Sequence, residues 1–136
     1  MRFLFILLCL QSSVYSQTEL DSLYSTWQNE KISDSIRAFA LTDYIYDGFF
    51  SSQPDSALIL TNQLYQFTKE TKNEKGLIEA LTLKGYIQFR IGNYSKALAS
   101  YEEGLEIAEK IDDKLGAADI LVKMGYIYHD NEDVIN

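Results

Sequence analysis

The chain has 136 residues, the length of one small domain, and 46% of them are hydrophobic, which excludes a disordered tail. It carries 12 Lys+Arg against 20 Asp+Glu, a formal charge of −8. That balance disfavours nucleic acid and anionic membrane surfaces as partners, because both require cationic contacts; solubility alone accounts for it equally well.

The N-terminus reads as a processing signal. Arg2 gives a short basic start, Phe3 to Leu10 is an unbroken apolar run, and Gln11 to Ser16 is polar. This pattern predicts a secretory signal peptide over residues 1–16, cut near Ser16, and a secreted or periplasmic protein. A frayed apolar helix is the competing reading. The run is too short for a membrane span, which takes about 20 residues. Cys9 is the single cysteine and follows Leu8, not the small residue that lipid attachment needs. Cleavage removes it and leaves a mature chain without a disulfide.

Leu20, Leu23, Tyr24 and Trp27 share one face of a helix. Residues 17–32 are read as an N-terminal capping helix and linker, with Trp27 as a packing residue at the end of the stack. Ser33 or Asp34 can cap the next helix, predicted from about Ser35 to Phe50. Pro54 suits the first turn of another, running to about Thr71, because its missing N–H is not needed there. Asn73 can cap a helix to Ile91. Gly92 supplies a left-handed residue that ends it, and Asn93 can cap a helix holding Tyr94, Ala97, Leu98, Tyr101, Leu105 and Ala108. Asp112-Asp113 opens a last helix from about Lys114 to Tyr128. The class is all-α.

The chain repeats itself at forty residues. Ala40, Leu41, Thr42, Tyr46, Phe49, Ala57 and Leu58 meet identical residues at Ala80, Leu81, Thr82, Tyr86, Phe89, Ala97 and Leu98. A second shift carries Leu81 and Tyr86 onto Leu121 and Tyr126, Gly76 onto Gly116 and Gly85 onto Gly125. Gly85 and Gly125 stand inside helices, where glycine costs about 1 kcal/mol relative to alanine. Its recurrence at one register predicts that a neighbouring helix rests where a side chain would be. A helical hairpin cannot bury its apolar face alone, so the units, about 36–75, 76–115 and an incomplete 116–136, must stack on one another over a repeat domain of residues 33–136.

With Gly85, Gly92, Tyr94, Ala97, Tyr101 and Gly104-Leu105 in its small and aromatic register, the central unit resembles the tetratricopeptide repeat. Leu81 stands where that motif has Trp or Leu. The unit departs from it at Gln88, at Lys84 and in a period of forty against about thirty-four. The added residues are expected in the second helix and the joint after it. The resemblance implies a right-handed α-solenoid of antiparallel helix hairpins, with no catalysis of its own. Together with a signal peptide and a Pro-Asp-Ser-Ala turn, the chain also resembles the N-terminal repeat region of bacterial sensor histidine kinases and nucleotide cyclases. This implies the alternative expectation of a sensory fragment that reaches a membrane only through a downstream segment.

The sequence shows no phosphate loop, no Ser-His-Asp set and no zinc spacing, and His129 is the single histidine. Neither catalytic residues nor a metal or cofactor are expected; His129, Asp130, Glu132 and Asp133 read as an acidic tail. Asn93-Tyr94-Ser95 matches a glycosylation sequon, with a bare capping Asn as the default. The family's groove positions imply a concave protein- or peptide-binding surface built from Tyr46, Tyr86, Phe89, Arg90, Tyr126 and His129, with Phe49 and Phe50 beside them. Tyr46, Tyr86 and Tyr126 would form a ladder one repeat apart, and the sequence admits both binding and packing for them. Self-association through the open C-terminal end is a further expectation.

Overall fold

A computed structural model describes residues 17–135, with side chains through residue 130. The predicted signal peptide lies outside the described residues, as do the side chains of Glu132 and Asp133. Six helices account for the described chain, without strands: α1 over 17–28, α2 Asp34–Gly48, α3 Pro54–Glu70, α4 Glu74–Arg90, α5 Tyr94–Lys110 and α6 Lys114–Ile135. The short joints force consecutive helices antiparallel. Each helix from α2 onward packs on its successor, and α2, α4 and α6 also touch in series. The result is a stack of hairpins with α2, α4 and α6 as one layer and α3 and α5 as the other. Among the described residues no helix is long and apolar enough to cross a membrane.

The forty-residue period is two twenties. Helices α3, α4 and α5 are each 17 residues long, and three-residue joints separate α3 from α6. Each joint contains a left-handed residue at the same register: Lys72 (φ 54°), Gly92 (φ 81°) and Asp112 (φ 57°). The amide after it turns back onto the helix just ended, Asn73 to the Thr68 carbonyl at 2.9 Å, Asn93 to Gln88 at 2.8 Å and Asp113 to Ala108 at 2.8 Å. These are Schellman closures that satisfy the last free carbonyls. Only one of the three uses the glycine that the sequence advertises.

Capping follows the expectation in part. The Oδ1 of Asn73 accepts from the Gly76 amide and that of Asp113 from the Gly116 amide, both at 3.1 Å. Asn93 does not cap α5; its Nδ2 donates to Gln88 Oε1 at 2.9 Å. The side chain of Ser33 leaves α2 uncapped, and Asp34 is turned to Arg37 at 3.2 Å.

Burial follows the repeat. One core cluster joins α2, α3 and α4 around Leu41, Ile45, Leu64, Leu83 and Ile87; a second joins α4, α5 and α6 around Ile78, Tyr101, Ile120 and Ile127. Thr61 and Thr68, fully buried, donate to carbonyls four residues back at 2.7 and 2.9 Å, so they enter the core without an unmet hydroxyl. Gly85 shows the predicted close approach, since a Cβ there would lie 2.5 Å from Cε1 of the Tyr101 ring; Gly125 does not, because among the described residues no atom comes within 4 Å of a Cβ placed on it. At the N-terminal end α1 is held by Trp27, edge-on to Phe67 at 4.7 Å. Arg37 lies over both rings and donates from Nε to the Trp27 carbonyl at 3.0 Å.

Candidate functional site

The inner layer carries the surface of interest. The first halves of α2, α4 and α6 enclose an open cavity of about 980 Å³. Phe39 and Thr42 enter it from α2, Glu79 and Thr82 from α4, and Leu115 and Asp119 from α6. Phe39 is 65% exposed although it is a large apolar residue. Five carboxylates (Asp34, Glu74, Glu79, Asp113, Asp119) line the cavity against two lysines, Lys72 and Lys75, so its mouth is acidic.

Tyr46, Tyr86 and Tyr126 stand seven residues beyond Phe39, Glu79 and Asp119, two turns further along the same helix faces. The three tyrosines therefore lie on the helix faces that carry the cavity residues. Tyr46 lies 5.4 Å from Phe50, and Phe50 stacks on Tyr86 at 4.8 Å with the planes 19° apart. Arg90 places its guanidinium 5.6 Å from the Phe50 ring. This cluster spans two units, and in it Tyr86 is half-buried while Arg90 is exposed. Phe89 turns elsewhere: it is partly buried against the second core cluster and 5.8 Å from Tyr94. Phe49 likewise packs on Tyr44 at 5.1 Å. Tyr126 is 62% exposed, and His129 lies beside Asp130, 3.8 Å between Nδ1 and Oδ1.

The electrostatics tie the cavity and the tyrosines together. Desolvation by the groove walls, then Asp119 and Asp113, holds the Glu79 carboxyl above the ordinary glutamate range, while Lys123 pulls it down. Burial first, then Glu79, Tyr86 and Asp119, raises the Tyr46 hydroxyl. The Tyr101 hydroxyl is raised for the same kind of reasons, burial leading and Tyr46, Asp119 and Tyr86 following. Lys123 is bonded to Asp119 one turn back on α6. The site sets carboxylates of successive units beside aromatic faces. Among the described residues no cluster of His, Cys, Asp or Glu is arranged to hold a metal.

The acidic mouth is the part that sequence reasoning missed. Phe39, Glu79 and Asp119 share a register but not a residue type, so a search for identities forty apart passes over them. Stepping back two turns from each ladder tyrosine would have found all three.

Stacked antiparallel hairpins in two layers define a helical-repeat scaffold. Residues 78–111 match the family profile described as tetratricopeptide repeat, and the stacked helix hairpins support such a repeat there. No curated protein and no solved structure matches the chain. Repeats of this family act in protein–protein interaction, typically without catalysis, and support the same role here. The match begins one turn into α4 and ends at Ile111, the residue that closes α5.

Proposed function

We propose that the protein is an exported interaction module whose groove holds an extended peptide with a cationic side chain. The observation that carries this reading is the meeting of Glu79 and Asp119, from successive units, in one cavity with the exposed Phe39. A Lys or Arg between the two carboxylates would relieve their mutual repulsion. The neighbouring rings of Tyr46 and Tyr86 supply contact area with polar tips, which suits peptide recognition. The alternative expectation of a sensory fragment uses the same groove and differs in what the chain is joined to.

The test uses a labelled lysine-containing peptide, acetyl-(Ala-Lys)5-amide, titrated against the full chain. The double variant Glu79→Gln/Asp119→Asn is expected to lose about tenfold in affinity, on the order of 1.4 kcal/mol. A control that removes the same charge from the exposed outer helix, Glu102→Gln/Glu106→Gln, should keep it. Equal losses from both would mean that overall charge draws the peptide, and the groove would lose its claim. Tyr86→Ala should weaken the same binding without loss of helix content.

A further inference from the structure

We infer that the peptide seated in the acidic cavity carries its cation between two apolar residues, which Phe39 and Leu115 receive from the flanking helices. The inference rests on the cationic reading of that cavity and names the rest of the ligand. Phe39 of α2 and Leu115 of α6 line the cavity together with Glu79 and Asp119, and they are 65% and 85% exposed. Packing accounts for neither. One register of the repeat holds Phe39, Glu79 and Asp119, and another holds Ser35, Lys75 and Leu115. All six residues line the cavity, and all six are exposed. Phe39 stays exposed although α3 and α4 follow it in the stack, and Lys75 stays exposed although α5 and α6 follow it. Both registers therefore face the cavity in every unit. An apolar side chain held there in water gains nothing from folding, and apolar surface gathered inside a polar rim marks a binding site.

The layer sets the spacing of the ligand. Helices α2 and α6 each touch α4, so Phe39 and Leu115 stand on helices two spacings apart. Two spacings are roughly 16–20 Å, which an extended chain crosses in about five or six residues. Glu79 lies on the middle helix, and Asp119 lies one turn beyond Leu115 on α6. The cation therefore falls between the two apolar residues and nearer the second. Even separations keep all three side chains on one side of an extended chain. A ligand that presents an apolar residue, then Lys or Arg four residues on, then a second apolar residue two further, meets these positions. Charge decides against the other classes of occupant. Five carboxylates against two lysines repel an anionic segment, and a wholly apolar one would desolvate those carboxylates without pairing them.

The probes are two labelled peptides, acetyl-Leu-Ala-Gln-Ala-Lys-Ala-Leu-amide and its counterpart with serine for both leucines, titrated against the full chain by fluorescence anisotropy. The leucine peptide is expected to bind about tenfold tighter. That ratio should collapse to near one in Phe39→Ser/Leu115→Ser. The melting temperature of this variant should match that of the wild type, because both side chains already lie in water. Ile59→Ser removes a similarly exposed apolar residue from α3 and should keep the ratio. Equal binding of the two peptides by wild type, with both weakened by Glu79→Gln/Asp119→Asn, would overturn the inference and leave the cationic reading standing. A ratio that survives Phe39→Ser/Leu115→Ser would overturn it too, since the leucines would be finding apolar surface elsewhere. A dimer of the chain alone, seen by sedimentation and dissolved by that variant, would give the two apolar residues to a second copy and overturn it likewise. Binding indifferent to Glu79→Gln/Asp119→Asn, or no saturation up to millimolar peptide, would remove the cationic reading and this inference with it.

Discussion

Helices α4 and α6 hold the same place in successive units and share Leu, Gly and Tyr at the same register, yet they live in different surroundings. Leu81 is buried under α5; Leu121, its counterpart, is 54% exposed. Thr82 is 7% exposed, and Val122 at the same register of α6 is 57% exposed. The two helices therefore separate what a residue does for a helix from what it does for a neighbour. A glycine within α4 is the seat of a ring, whereas on α6 it is only a gap in the side chains.

The largest test of this contrast is leucine truncation. Leu81→Ala should cost about 2–5 kcal/mol, the range for a buried leucine whose cavity cannot fully collapse. Leu121→Ala should cost less than about 1 kcal/mol, since half its surface is already wet. Urea unfolding of the two variants measures both, and equal losses would mean that α6 is covered like α4.

The glycines come next, and here the signs are opposite. Gly85→Ala drives a methyl into the Tyr101 ring, which is itself wedged in the core. Overpacking of this kind costs about 1–3 kcal/mol. Gly125→Ala meets nothing and gains helix propensity, so the chain should become more stable by about 0.5–1 kcal/mol. Thermal unfolding followed by circular dichroism reads both signs. A loss at both positions would show that α6 has a close neighbour after all.

The helix starts should behave alike where the faces do not. Asn73→Ala and Asp113→Ala each remove an N-terminal cap of the same length and geometry, and each should cost about 1 kcal/mol. Asn93→Ala removes no cap. A loss there would report the hydrogen bond to Gln88 instead.

What could be read from the sequence, and what could not, follows from the same distinction. Packing positions repeat as identities, because a fixed gap between helices accepts few shapes; this is why Leu81, Gly85 and Ala97 exposed the stack before any coordinates. Turn positions repeat as conformations. Lys72, Gly92 and Asp112 share a left-handed backbone with three different side chains, so the underlying twenty-residue step is invisible to residue matching. Groove positions repeat only as places. Phe39, Glu79 and Asp119 are free to differ because they line an open cavity and are not wedged against a neighbouring helix. The implied binding residues divided for a related reason: Phe89 and Phe49, apolar throughout, sank into the packing, while Tyr46 and Tyr126 remain 40% and 62% exposed.

The smallest effect concerns a place where α4 and α6 act on each other through charge. The carboxyl of Glu79 titrates above its ordinary range chiefly because the groove walls desolvate it, and next because Asp119 faces it from α6. A raised carboxyl means that the folded protein holds the proton more tightly than the unfolded chain, so ionising Glu79 lowers stability. The penalty is absent at a pH below the ordinary glutamate value, about 4.3, where both states are protonated. It grows as the unfolded chain ionises and is complete above the folded value. Glu79→Gln should therefore stabilise the protein at neutral pH and leave it unchanged in acid; since the side chain reaches solvent, the gain will be slight. Site-resolved titration of Glu79 by NMR gives a sharper reading. Asp119→Asn should lower its midpoint, both by removing the facing charge and by freeing Lys123, and Lys123→Gln should raise it. A Glu79 midpoint indifferent to both substitutions would place the carboxylates of α4 and α6 in separate fields, and would remove the reason for seating a cation between them.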